Sequence, residues 1–296
     1  MPSTGSWILV PTPGDVPVVS LLTAGADVFA LGSRAEGASV ILKKRGSRFA
    51  AVAEHPARFD RLCSVPSGCF IALGPEASAC FDGTRWTDHP LPERVEGLRR
   101  IWECSTSELY AVARQQLLFF DGMAWRKVEV AGAQGQSFAW ADGDGGSDCG
   151  GWLVGQDAAG SVFATGSKQS WAIASRCPDP ALEVVRVFGR EHALAMGRGR
   201  WELEDGSWKE QAASSPRGRP LFAEHSRGRI VLGYLRPEER VAEVHCCCTV
   251  AAIPLEGVQG ELGDISLSPL PTGHLLLKDG AGRVLQSRAP ILCPPA

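Results

Sequence analysis

The chain alternates short apolar runs with clusters of turn-forming residues. One stretch shows the pattern clearly, with runs at residues 98–103, 109–113, 117–120 and 125–128. Turn signals separate them at 105–107, 114–116 and 121–122. Runs this short, bounded this way, predict β-strands. The same order recurs upstream at 59–64, 69–73, 78–81 and 86–89, and before that at 16–22, 27–31, 40–43 and 49–53. No stretch keeps a 3.6-residue apolar period beyond about one turn, so the prediction is an all-β chain. The 34 glycines and 20 prolines agree with a protein of many turns.

The runs are grouped by a repeat. "FDGTRW" ends at Trp86, "FDGMAW" at Trp125, and "EDGSW" at Trp208 with one residue deleted. Weaker copies place Phe49 and Trp171 at the same point, and Trp7 supplies one near the start. A further copy centres near Thr249, in "VHCCCTVAAIPLEG", without an aromatic. The seven anchors recur about every 42 residues, the size of a β-propeller blade. Each unit reads as four strands. The runs at 265–268, 274–277 and 284–286 lack a fourth strand, and Trp7–Val10 is a fourth strand lacking three. Joining them completes seven blades. The fold expected is therefore a seven-bladed β-propeller of four-stranded blades, one domain over residues 1–296, its ring closed by Trp7–Val10 joining the C-terminal blade. Closure removes edges that would otherwise stay unpaired.

An apolar strand, an Asp-Gly-x-x-Trp turn, another strand and a Pro-rich turn make the repeat similar to kelch-like bacterial propellers. The kelch double glycine and the Trp-Asp dipeptide of WD repeats are absent. The Asp-Gly-x-x-Trp units read as structure: Asp-Gly forms the turn before the fourth strand, and the Trp packs between blades.

Composition narrows the function. With 30 basic and 33 acidic residues the net charge is −3, which argues against a nucleic-acid or acidic-membrane partner. The basic cluster Lys43, Lys44, Arg45 and Arg48 reads as a hairpin tip. No secretory leader or membrane-length apolar run is visible, so the expected location is cytoplasmic. The ten cysteines are then expected to be mostly buried thiols, including Cys246, Cys247 and Cys248, because no zinc spacing accompanies them.

Nucleotide-binding glycine motifs, the nucleophile elbow and the His-Glu-x-x-His metal motif are all missing. No cofactor is implied. One metal candidate exists: Asp142, Asp144 and Asp148 in "WADGDGGSDCGGW" resemble the later part of an integrin-type calcium loop. Alternate carboxylates suit a hard cation, while the plainer reading is an Asp/Gly-rich tip between two strands. The inner strands offer few polar groups, Arg99 and Arg100 being the exception.

Propeller ligands usually meet the loops joining each fourth strand to the next first strand, and those between second and third strands. Here these loops are 54–60, 90–97, 175–183, 212–220, 32–39 and 234–240, rich in proline and arginine. The candidate contacts are Arg34, His55, Arg58, Arg94, Arg176, Arg217, Arg219, Tyr234, Arg236 and Arg240, arginine being favoured at protein interfaces. The first expectation is a non-catalytic, monomeric scaffold that binds another protein as an adaptor or as a neutralising partner. The alternatives are a small-ligand, glycan-binding or hydrolytic propeller using its central channel, and a structural subunit of an assembly.

Overall fold

A computed structural model describes residues 7–65, 68–105, 107–132, 138–146, 150–168, 170–177, 179, 181–189, 192–211, 218–226, 229–246 and 249–291. Strand β1 is Trp7–Val10. The first blade is β2 (Val18–Ala24), β3 (Asp27–Ser33), β4 (Ser39–Arg45) and β5 (Arg48–His55). The second is β6 (Arg61–Ser64), β7 (Phe70–Leu73), β8 (Ser78–Phe81) and β9 (Trp86–His89). The third is β10 (Arg100–Glu103), β11 (Leu109–Ala113), β12 (Gln116–Phe120) and β13 (Trp125–Val128). The fourth carries a short extra strand, β14 (Val130–Ala131), beside β15 (Ala139–Gly145), β16 (Gly150–Asp157), β17 (Gly160–Ser167) and β18 (Ser170–Cys177). The fifth is β19 (Val184–Gly189), β20 (His192–Met196), β21 (Arg200–Glu204) and β22 (Ser207–Glu210). The sixth is β23 (Arg219–Ser226), β24 (Arg229–Arg236), β25 (Val241–Cys246) and β26 (Thr249–Pro254). The seventh is β27 (Ser266–Pro269), β28 (Leu275–Lys278) and β29 (Val284–Ser287), with β1 as its fourth strand.

The predicted anchors stand at the starts of fourth strands. Trp7, Trp86, Trp125 and Thr249 are first residues, and Phe49, Trp171 and Trp208 are second. The blade pairing of β1 with β29 runs Trp7 to Ser287 through Val10 to Val284. Strand β14 was not anticipated. It pairs in parallel with β18, Val130 against Trp171, and covers part of that strand's outer edge.

Two compact units make up the chain, Met1–Arg58 with Arg217–Ala296, and Phe59–Pro216. In the first, Trp7, Phe222, Val244, Ile253, Leu267 and Leu277 share one apolar cluster, and Val10, Val18, Val40, Phe49 and Leu276 another. In the second, Trp125 packs with Leu73, Leu109 and Phe120, while Trp171 packs with Trp102, Tyr110 and Trp140. Two of the anchor tryptophans also bond to the blade before their own. Trp125 Nε1 donates to Ser78 Oγ of β8 at 2.8 Å, and Trp7 Nε1 to the Pro254 carbonyl of β26 at 2.9 Å.

The repeated Asp-Gly has two geometries. In the second and third blades the aspartate oxygen accepts backbone N–H groups ahead of it, at 2.9 Å from Thr84 and Arg85 to Asp82. Asp121 does the same for Met123 at 3.0 Å and Ala124 at 2.9 Å. Gly83 and Gly122 follow with φ of 98° and 90°, where a side chain would strain the backbone. In the fifth blade the deletion leaves a two-residue loop between Glu204 and Ser207. There Asp205 and Gly206 both take positive φ, 51° and 74°, as a tight hairpin turn requires.

Candidate binding surface

In a four-stranded antiparallel blade, the loop after the fourth strand and the loop between the second and third leave from the same end. Arginines and acids from these loops meet there. In the first unit, Arg34 of the β3–β4 turn pairs with Glu54 near the end of β5. In the same unit Arg236, ending β24, contacts Glu239 at 2.5 Å and Glu243 at 3.2 Å. In the second unit, Arg94 pairs with Glu76 of the β7–β8 turn and reaches Glu96 at 3.3 Å. Arg176, near the end of β18, grips Asp157 through both Nη atoms, at 2.9 and 2.6 Å. That fork holds the Asp157 carboxyl below its ordinary pKa and raises the arginine's. Lys127 and Glu93 add a contact of 2.8 Å at the third blade.

Other candidates are placed differently. Arg58 is exposed on the connection to β6. Arg219 is half-buried at the start of β23, its Nη2 at 3.5 Å from the Leu262 carbonyl. Arg240 sits in the β24–β25 turn at φ 51°, its Nη2 at 3.4 Å from the Val258 carbonyl. His55 is buried at the end of β5, and its Nδ1 accepts the Ala57 N–H at 3.1 Å. Tyr234 is not a loop residue: β24 continues through it and it is buried, its ring edge-on to His245. The strand runs to Arg236, directly before Pro237, so the loop begins later than 234. Arg217 lies outside the described residues.

The acidic segment in the fourth blade is also strand. Asp142 and Asp144 belong to β15, and both are buried. Asp142 Oδ2 accepts from the Arg186 guanidinium and from the Val185 N–H at 3.2 Å. Asp144 Oδ2 accepts the Val187 N–H at 2.9 Å, and its other oxygen lies 3.4 Å from Arg100 Nη2. The two carboxylates thus satisfy N–H groups of β19 and neutralise arginines, instead of standing at a tip as oxygen donors to calcium. The glycines that suggested a loop make room for an aromatic ring: a Cβ on Gly143 or Gly145 would come within 3 Å of the Trp102 side chain. Asp148 lies outside the described residues. Among the described residues no group of three or more His, Cys, Asp and Glu is placed to hold a metal.

Among the described cysteines, Cys63, Cys177 and Cys246 are buried free thiols and Cys69 and Cys80 are half-buried free thiols. Burial pushes Cys63 up to about 12 and Cys177 to about 11, so both stay protonated and unreactive. Cys104 departs from the thiol expectation, being disulfide-bonded. Cys149, Cys247, Cys248 and Cys293 lie outside the described residues. No helix among the described residues is long and apolar enough to cross a membrane.

No family model matches the chain, and no curated protein sequence matches it. Solved structures do. The selenomethionine-substituted virginiamycin B lyase from Staphylococcus aureus aligns with a TM-score of 0.70, covering 95% of this chain and 97% of its own, at 11% identity. This chain has the seven-bladed β-propeller fold. YCF48 bound to D1 peptide aligns with a TM-score of 0.65 over 98% of both chains, at 14% identity. The WD40 β-propeller domain of Doa1 aligns at 0.62, covering 93% of this chain and 94% of its own, at 12% identity. At these identities the likeness concerns the fold, and propellers carry both enzymes and binding proteins.

Proposed function

We propose that the protein is a non-catalytic scaffold that binds another protein through the loops at one end of its blades. The observation that carries this is the set of arginine–acid pairs at those loop ends: Arg34–Glu54, Arg94–Glu76, Arg176–Asp157 and Arg236–Glu239. Exposed pairs such as Arg34–Glu54 and Arg94–Glu76 contribute little to folding. They do hold long side chains in place before an encounter, which lowers the ordering cost of binding. Arginine so held suits a protein interface. A propeller that covers the same length of chain, YCF48, was solved with a peptide bound, which supports the reading by analogy.

The adaptor or neutralising role, and the kelch-like character of the repeat, belong to this proposal. So does a cytoplasmic location, which rests on the five free thiols among the described residues. The Cys104 disulfide opposes that location. Counting free thiols in protein drawn from its source cells without added reductant separates the two.

A second reading is a ligand site on the first strands, favoured by the charges on β10, β15 and β19 and by the lyase that shares the fold. The loop surface is preferred because Asp142 and Asp144 are already occupied by Arg186, Arg100 and backbone N–H groups. The experiment compares capture from source cells by the natural chain and by an Arg94→Glu, Arg176→Glu variant. The expected result is a stoichiometric protein recovered with the first and lost with the second, both being folded by circular dichroism. Equal recovery with both would overturn the use of this surface.

A further inference from the structure

Arg61 opens β6, and Arg99 stands one residue before β10. Both lie where the incoming connections enter their blades, the end that also carries Arg94. Alternation along the strands puts Arg61 on the face of Cys63 and Arg99 on the face of Ile101. Cys63 and Ile101 belong to one apolar cluster, so the two arginines share the seam between the second and third blades.

Neither guanidinium makes an ion pair among the described residues. Arg61 spends Nε on the Arg99 carbonyl at 3.1 Å and Nη1 on the Asp60 carbonyl at 3.0 Å. Those are two neutral acceptors for a group with five N–H donors. The Arg99 side chain is exposed and makes no hydrogen bond or ion pair among the described residues. Asp142 attracts Arg61 electrostatically, yet its hydrogen bonds go to Arg186 and Val185. Arg100, next in sequence, faces Asp144. Burial lowers the Arg61 guanidinium's pKa; the Asp60 carboxylate pulls it up more than the neighbouring Arg99 pushes it down, and Asp142 adds to the pull.

We propose that Arg61 and Arg99 bind an oxyanion, a carboxylate or phosphate group seated between the two guanidinium groups. A shared oxyanion would take up N–H donors that the hydrogen bonds of Arg61 leave over and that Arg99 leaves unused, and planar guanidinium forks match the geometry of both anions. The anion could be carried by an acidic segment of a protein or be a free small molecule. The site itself does not depend on the scaffold reading, because it can be tested without any protein partner.

The test is thermal shift and calorimetry with inorganic phosphate, citrate and a capped hexaglutamate peptide, at constant ionic strength against chloride. At least one of them should bind the natural chain and raise its melting temperature. Arg99→Gln removes no hydrogen bond, so it should fold as the natural chain does and bind about tenfold more weakly or worse. Arg61→Gln should also bind about tenfold more weakly or worse, with some loss of stability because it gives up the bonds to the Arg99 and Asp60 carbonyls, and Arg126→Gln, on the outer strand β13, should change nothing. A response to the peptide alone supports the site and assigns its anion to an acidic protein segment. A response to phosphate or citrate without the peptide supports the site and assigns a free small anion. No response of the natural chain to any of the three overturns the proposal, as does equal binding by Arg99→Gln.

Discussion

Trp125 does two jobs at the start of its strand. Its ring is buried, at 3% exposure, and tilted against Phe120, while its N–H reaches back to Ser78. Trp125→Ala should cost ~3–5 kcal/mol in denaturant unfolding. Trp86 is only half-buried, packed on Phe59 and Phe81, and its replacement by Ala should cost less. Asp82 acts through its charge. The N–H groups of Arg85 and Thr84, with the Thr84 hydroxyl, hold its carboxyl well below the usual carboxylate range. A depressed folded pKa stabilises fully above the unfolded value, about 4, and the gain fades as pH falls toward the folded value. The stability difference between the natural chain and Asp82→Asn should thus be flat above about pH 5 and shrink on acidification. These residues were legible in the sequence because a turn and an aromatic anchor recur at fixed spacing. Tyr234 and His55 were not, since a proline nearby looks the same whether a strand stops before it or runs up to it.

At the scale of elements, β1 carries more than its four residues suggest. It completes the seventh blade, buries Trp7 and Val10, and bonds to Pro254 of the sixth. Deleting residues 1–10 should lower the melting temperature by about 10 °C, the loss of one large buried aromatic being the main cause. An unchanged melting temperature would sink the closing role of β1. Strand β15 teaches the opposite lesson about sequence. Its Asp-Gly alternation has the composition of a loop, but the aspartates point to β19 and the glycines admit Trp102. Composition could not distinguish the two cases, because the deciding partners on β19 are 43 or 44 residues away in sequence from the aspartates, roughly the repeat length. Asp142→Ala would leave Arg186 as a buried charge without its carboxylate, and should cost ~3–5 kcal/mol in denaturant unfolding.

For the molecule as a whole, seven blades were legible from the repeat, since six of the seven copies solve the same packing problem with an aromatic anchor and Thr249 keeps the spacing of the other. The loops face no such shared demand, and no period runs through them. Their residue types suggested a surface, and the structure adds which arginines meet which acids within each unit. Hydrogen exchange on the chain with and without its captured partner tests the central proposal most directly. The account predicts slowed exchange in the loops at 32–39, 54–60, 90–97 and 234–240, with the Asp-Gly turns at 82–85 and 121–124, at the other end of their blades, unaffected. Slowed exchange in those turns, with the arginine-rich loops unchanged, would contradict it.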